Sequence, residues 1–185
     1  MDITKYWQSI NCLTLLLYPL SLLYRTIIFI RRLCFQVNCF KVNYFKSHLL
    51  PVPIIIVGNI TVGGNGKTPL IIHLLNEFKN KGYKPGVVSR GYGAINPQLD
   101  SGNSVIVDIT KQAKSQGDEP WMIANKTSCP VVIGRKRSHA VDLLLQEFDC
   151  DIVLSDDGLQ HYAMSRDIEI CVVDTSKNFG NGLCL

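Results

Sequence analysis

The chain has 185 residues, 46% of them apolar, so it is long enough to build one domain with a substantial core. Its net charge of +4 comes from residues 1–50, which hold six Lys or Arg and one acidic residue, whereas the remaining residues hold 13 basic and 14 acidic ones. The near-neutral remainder excludes the basic surface typical of a nucleic-acid-binding protein, and seven scattered cysteines without a C-x-x-C pair argue against a disulfide framework or a zinc site.

Residues 10–30 form an apolar stretch close to the length of about 20 residues that crosses a bilayer. Pro19 would kink such a helix, and Arg25 would have to reach the headgroups. Basic residues follow on the C-terminal side: Arg31, Arg32, Lys41 and Lys46. We therefore predict that residues 1–50 are a membrane-anchor helix with a basic juxtamembrane segment, either spanning the bilayer or lying in its interface, with the rest of the chain cytoplasmic. A helix buried in a soluble core is the alternative.

Residues 51–185 are predicted to be a second unit, which begins with an apolar run, a glycine-rich turn and a helix. The run at residues 54–57 leads into a turn that closes with Gly66, Lys67 and Thr68, and helix-forming residues follow from position 70 to 81. Strand, glycine loop, Lys-Thr and helix is the order of a phosphate-binding P-loop. The pattern therefore predicts that this segment binds ATP or GTP.

Each residue type in this loop has a chemical reason to be there. Glycines let backbone N–H groups converge on phosphate oxygens at a helix N-terminus. The ammonium group of Lys67 would reach the β- and γ-phosphates, and the hydroxyl of Thr68 would bind Mg²⁺. The strict pattern has glycine where this chain has Thr61, so a Gly-Asn-Gly turn beside an exposed lysine is the alternative. The predicted nucleotide-binding residues are Thr61, Val62, Gly63, Gly64, Asn65, Gly66, Lys67 and Thr68.

Further short strands alternate with helices along the rest of the chain. Strands are predicted at residues 85–89, 130–134, 151–155 and 168–174, with a β-like run at 105–108 inside a polar segment that forms a loop or small hairpin over the site. Helical patterns begin at Trp121 and at Ser138. Such alternation predicts an α/β fold with a doubly wound, mainly parallel sheet, as in P-loop NTPases.

Polar residues follow several of these strands, at the edge where ligands of open α/β sheets bind. Arg90 and Tyr92 follow the strand at 85–89, although a turn held by two glycines is equally consistent with them. Asp156 and Asp157 follow the strand at 151–155 and resemble a Walker B element, whose carboxylate holds Mg²⁺; an ordinary acidic turn is the alternative. Local sequence favours an N-cap role for Asp118.

Five motifs follow one another along the chain: V-G-N-I-T-V-G-G-N-G-K-T-P, G-V-V-S-R-G-Y-G, G-D-E-P, S-D-D-G-L-Q-H and a closing G-N-G. Together they resemble the tetraacyldisaccharide 4′-kinase family of Gram-negative bacteria, and the match runs from about Val52 to Gly182. The resemblance implies transfer of the γ-phosphate of ATP, with Mg²⁺, to the 4′-hydroxyl of a tetraacylated disaccharide 1-phosphate in lipid A biosynthesis. It also implies a location on the cytoplasmic face of the inner membrane, close to a lipid-embedded substrate. It leaves the oligomeric state open.

The resemblance assigns roles to particular residues. Thr61–Thr68 match the family's ATP-binding loop, with Lys67 also acting in catalysis, and Asp118 matches the acid that helps to deprotonate the acceptor hydroxyl. Asp156 and Asp157, with Thr68, are the predicted Mg²⁺ ligands. The predicted substrate-side residues are Arg90, Tyr92, Glu119, Gln160 and His161.

Family members continue well beyond the position of Leu185, so the resemblance predicts the N-terminal half of a kinase whose activity is impaired by truncation at the C-terminus. A nucleotide- and membrane-binding remnant without activity is one alternative. A MinD-like membrane-associated ATPase is another, although the signature lysine of that class is replaced here by Val62.

Overall fold

A computed structural model of the chain describes residues 12–36, 50–59, 66–161, 164 and 166–174. The elements in chain order are α1 (Cys12–Gln36), β1 (Ile54–Asn59), α2 (Lys67–Asn80), β2 (Pro85–Ser89), α3 (Pro97–Asp100), β3 (Val105–Ile106), a 3₁₀ turn (Ala113–Ser115), α4 (Asp118–Thr127), β4 (Val131–Ile133), α5 (Arg137–Glu147), β5 (Ile152–Asp156) and β6 (Ile168–Val172).

The described strands form one six-stranded sheet in the order β3-β4-β2-β5-β1-β6. The pairs of β1 with β5 and β6, and of β2 with β4 and β5, are parallel, whereas β3 runs antiparallel to β4. Since β1 and β5 are neighbours, Val57 near the end of β1 pairs with Asp156 at the end of β5. The predicted mainly parallel α/β sheet is confirmed, and its topology brings the start of the glycine loop beside the acidic pair.

Helices cover both faces of the sheet, which explains why its central strands are buried throughout and mostly apolar. Alternate residues of β1 point to opposite faces, so Ile55 packs with α2 and α4, and Ile56 packs with α5. The core on the α2 and α4 side includes Ile71, Leu75 and Ile123, and the core on the α5 side includes Ala140, Val141 and Leu144. Burial on both faces makes the central strands rigid supports for the loops that follow them.

Helix α1 exposes most of the apolar side chains that the structure describes. Leu16 is 77% exposed, Leu23 is 57% exposed and Phe29 is 61% exposed. A helix of a soluble core would bury these residues, so their exposure in the described part of the chain argues against this alternative. Within the described part of the chain, no helix combines the length and the apolar character needed to cross a bilayer.

Two local predictions were wrong in detail. The run at 105–108 does not form a hairpin over the site: β3 joins the edge of the sheet beside β4. Asp118 is not the N-cap of α4, because Gly117 occupies that position with φ 88° and ψ 137°, and Asp118 is the first helical residue. A positive φ strains any residue with a side chain, so the cap position here requires glycine.

Candidate functional site

Lys67 lies at the first turn of α2 and contacts two polar residues at the ends of neighbouring strands. Its Nζ atom donates hydrogen bonds to Oδ1 of Asn59, 2.9 Å away, and to Oδ1 of Asp157, also 2.9 Å away. Its side chain is 15% exposed and that of Asp157 is 52% exposed. The lysine is therefore not the exposed surface residue of the alternative interpretation: it is held at the mouth of the site with its charge available to a ligand.

Asp156 and Asp157 form a tight turn at the end of β5. The hydroxyl of Ser89 donates to Oδ2 of Asp156 at 3.2 Å, which holds this buried carboxylate from the neighbouring strand β2. Asp157 adopts a left-handed backbone conformation, with φ 54°, and its N–H donates to the carbonyl of Val57 at 2.8 Å. The turn is thus hydrogen-bonded to both strands that flank β5. The Asp156 carboxylate is buried, whereas the Asp157 side chain is 52% exposed.

Glycine at position 58 allows this turn to pack closely on β1. A Cβ atom there would lie 2.6 Å from Cγ of Leu159, which no side chain tolerates without a shift of its neighbour. In the sequence, Gly58 is one of several glycines close to the Gly-Lys-Thr turn. The structure gives it a packing role, because it lets the segment after Asp157 close over the end of β1.

Burial perturbs the ionisation of Asp156. Its removal from water raises the pKa of this carboxyl to about 6, and the negative charge of Glu119 contributes to the rise. The positive charges of Lys67 and Arg137 and the hydrogen bond from Ser89 act in the opposite direction. Perturbed carboxylates of this kind cluster at functional sites, which supports a functional role for Asp156.

The raised pKa predicts how stability changes with pH. The folded protein binds this proton more tightly than the unfolded chain, so the resulting stabilisation is complete below the ordinary pKa of 3.8 and is lost as the pH rises to about 6. The change amounts to about 3 kcal/mol at 1.36 kcal/mol per pKa unit. We expect the Asp156→Asn variant to lack this fall in the free energy of unfolding, measured by urea denaturation from pH 4 to pH 7. An equal slope in both proteins would contradict the assignment.

Arg137 is a site residue that the sequence did not reveal. It belongs to the basic triplet Arg135-Lys136-Arg137, a pattern typical of a solvated helix start or of a phosphate contact, yet Arg137 is 3% exposed. Its Nη1 and Nη2 atoms donate to the carbonyls of Gly134, at 3.2 Å, and Asp156, at 2.8 Å. In the described part of the chain its Nε atom is buried without a hydrogen-bond partner, as are Oδ1 of Asp156 and Oγ of Ser155. No local pattern could distinguish it from its exposed neighbours.

The predicted substrate-side residues fall into two groups. Tyr92, which is 87% exposed, and Arg90 follow β2, and the carbonyl of Tyr92 lies 3.1 Å from the position that a Cβ atom of Gly117 would occupy. This turn therefore lies against the start of α4, where Asp118 and Glu119 are both exposed. Since Glu119 also acts electrostatically on Asp156, the start of α4 belongs to the same edge of the sheet as the acidic pair.

The second group is the segment after β5. Gln160 is exposed and His161 is partly buried. Burial lowers the pKa of His161, and the positive charges of Arg137, Arg90 and Arg166 lower it further. The histidine is thus close to the arginines of this edge. Thr61, Val62, Gly63, Gly64 and Asn65 lie outside the described residues, so their predicted contacts with nucleotide stay predictions.

The oxygen donors of this edge suit Mg²⁺. Magnesium is usually held by one or two carboxylates together with substrate phosphates and waters. In the described part of the chain, Oδ1 of Asp156 is buried without a hydrogen-bond partner. The Asp157 carboxylate forms an ion pair with Nζ of Lys67. Among the residues that the structure describes, no group of three or more His, Cys, Asp or Glu side chains is arranged to hold a metal by itself. The predicted ligands Asp156 and Asp157 therefore fit Mg²⁺ bound jointly with phosphates. Thr68 follows Lys67 in the first turn of α2, and its role as a ligand stays a prediction.

Comparison with known proteins connects this site to one family. The family model described as tetraacyldisaccharide-1-P 4′-kinase, LpxK, matches residues 13–185. The chain belongs to this family. Family membership also decides against the MinD-like alternative.

The relatives of the chain bear the corresponding names. It is 44% identical over 183 residues to the tetraacyldisaccharide 4′-kinase of Hahella chejuensis, with 99% of this chain and 53% of that protein covered. It is 47% identical over 183 residues to the enzyme of Shewanella piezotolerans, with 99% and 52% covered. The chain thus spans about half the length of the curated relatives that it matches.

A solved structure of the family shares the fold. LpxK from Aquifex aeolicus in complex with ATP superposes with a TM-score of 0.72 and 30% sequence identity, over 89% of this chain and 50% of that one. The mainly parallel sheet described above is therefore the fold of this part of an LpxK structure.

Proposed function

We propose that this chain carries the ATP-binding site of a tetraacyldisaccharide 4′-kinase, which transfers the γ-phosphate of ATP to the 4′-hydroxyl of a tetraacylated disaccharide 1-phosphate. The observation that carries the proposal is the position of Lys67, at the N-terminus of α2 and within 2.9 Å of Asp157. A lysine at a helix N-terminus, beside a carboxylate that follows a strand of the sheet, is an arrangement that binds the phosphates and the metal ion of a nucleoside triphosphate. Membership of the family supports the choice of acceptor.

The described residues divide the work of phosphate transfer. On nucleotide binding, Lys67 moves its charge from Asp157 to the β- and γ-phosphates, and the N-terminus of α2 adds a partial positive charge. Thr68, Asp156 and Asp157 would hold Mg²⁺, which would neutralise charge on the phosphates. Asp118, exposed at the first turn of α4, accepts the proton of the acceptor hydroxyl. Arg90, Tyr92, Glu119, Gln160 and His161 line the approach of the disaccharide.

Helix α1 is proposed to lie in the interface of the inner membrane, on its cytoplasmic face. Its exposed leucines and Phe29 supply an apolar surface, and Arg25 supplies a charge for the headgroups. This placement keeps the site close to a lipid-embedded substrate. We expect the chain to sediment with phosphatidylglycerol vesicles and the Leu16→Asp, Leu23→Asp double variant to remain in the supernatant. Equal sedimentation of both would contradict this role of α1.

The test of the function is phosphate transfer from labelled ATP to tetraacyldisaccharide 1-phosphate in detergent micelles. Because the chain spans about half of its relatives, it is assayed both alone and fused to the part of the Hahella chejuensis enzyme that the match does not cover. We expect ATP binding by both proteins and labelled disaccharide from the fused one. A fused protein that binds ATP but transfers no phosphate would refute the proposal.

A further inference from the structure

Arg137 is the first residue of α5 and is buried, although the two basic residues before it are exposed. It is 3% exposed, whereas Arg135 pairs with Asp100 at the surface with 59% of its side chain exposed. Burying a guanidinium costs free energy unless hydrogen bonds replace its water, and here its Nε atom has no partner among the described residues. Because its hydrogen bonds offset the cost of burial only in part, a contribution to stability does not explain an arginine at this position.

The guanidinium joins the ends of two strands that do not pair with each other. Gly134 follows β4 and Asp156 ends β5, with β2 between them in the sheet, and the arginine donates to the carbonyls of both. From β2, Ser89 holds the Asp156 carboxylate through its hydroxyl and accepts the N–H of Gly134 at its carbonyl, 3.0 Å away. The backbone and the side chain of Asp156 are thus fixed from separate directions.

The next residue depends on this arrangement. Asp157 follows directly in a left-handed conformation, which is uncommon for non-glycine residues, although aspartate adopts it more readily than most. Its carboxylate contacts Lys67 at 2.9 Å. A shift of the Asp156 carbonyl would therefore move both carboxylates relative to the lysine.

We propose that Arg137 is a positioning residue, which fixes the Asp156–Asp157 turn in the geometry that binds Mg²⁺ together with ATP. The inference rests on the proposed function, because it assumes a magnesium nucleotide at this edge of the sheet. Arginine suits the task because its planar fork directs donors to two carbonyls at once. Lysine retains the charge but lacks this fork, so it replaces arginine only in part.

The experiment separates magnesium-dependent from magnesium-independent nucleotide binding. The dissociation constant of ATP is measured calorimetrically for the 185-residue chain, first in EDTA and then in excess Mg²⁺, and the ratio of the two values is the magnesium gain. The variants are Arg137→Met, which removes charge and fork, and Arg137→Lys, which keeps the charge. Arg135→Met is the matched control, since it removes an exposed arginine two positions away.

We expect the magnesium gain to fall about tenfold or more in Arg137→Met. Substitution of residues that hydrogen-bond to metal ligands lowers metal affinity to a similar extent. Arg137→Lys is expected to give an intermediate gain, and Arg135→Met the gain of the unmodified chain. ATP affinity in EDTA should stay within about twofold for all three, which a general loss of structure would not produce. Near-ultraviolet circular dichroism verifies folding. If Arg137→Met does not fold, the magnesium gain of Arg137→Lys is the test of the inference.

Three results would overturn the inference. An unchanged magnesium gain in a folded Arg137→Met or Arg137→Lys variant would remove Arg137 from the metal site while leaving the kinase proposal intact. A parallel loss of ATP affinity with and without Mg²⁺ would assign it a general structural role. Absence of any magnesium gain in the unmodified chain would refute the proposed function and this inference with it.

Discussion

Replacement of Lys67 by alanine is expected to weaken ATP binding about a hundredfold. The phosphates lose the ammonium group, and this loss outweighs the hydrogen bonds to Asn59 and Asp157 that Lys67 exchanges for the phosphates on binding. A hundredfold loss corresponds to about 2.7 kcal/mol, within the range of about 1.5–3 kcal/mol for a hydrogen bond to a charged group. Equilibrium dialysis with labelled ATP measures the effect.

The matched control is Lys81→Ala, at the opposite end of the same helix. Lys81 is exposed and caps α2 through its backbone N–H, which alanine retains. Its substitution should leave ATP affinity unchanged. Equal affinities for the unmodified chain and Lys67→Ala, in proteins with the same thermal unfolding, would show that α2 does not begin at a phosphate site.

Asp118→Asn is expected to reduce phosphate transfer by about a hundredfold or more, because asparagine has the size of aspartate but cannot accept a proton. General-base catalysis contributes about 10²- to 10⁴-fold. The rate is measured with the fused protein under saturating ATP, and the affinity for ATP should change little. This combination assigns Asp118 to the chemical step, because a residue that binds nucleotide would change both quantities.

A structural role of Asp118 predicts a different outcome. An acid in the first turn of α4 interacts favourably with the helix dipole, so its removal costs about 0.3–1 kcal/mol of stability. Asp149→Asn is the control, since Asp149 is exposed and pairs with Lys84 on the surface. If Asp118→Asn lowers the unfolding temperature but retains the transfer rate, the helix dipole explains this residue and another group is the base.

The order of elements could be predicted from the sequence, whereas the predicted nucleotide contacts of the glycine loop stay predictions. The apolar run before Gly58, the Gly-Lys-Thr sequence and the strand ending in Asp156 are local patterns, and each reports on backbone geometry within a few residues. Local patterns were less reliable at Asp118, because an N-cap requires a particular backbone angle, and Gly117 provides it. The extent of β3 was misjudged because a two-residue edge strand carries almost no periodic signal.

The contacts of the site depend on the tertiary structure. Lys67 and Asp157 are 90 residues apart in the chain and meet because β1 and β5 are adjacent in the sheet. Arg137 is buried while Arg135 is exposed, although both belong to the same basic triplet. The sequence by itself determined which elements form and which chemistry they bring, since those depend on short-range preferences. Strand order, the burial of Arg137 and the raised pKa of Asp156 were decided by packing between distant segments, which no local pattern records.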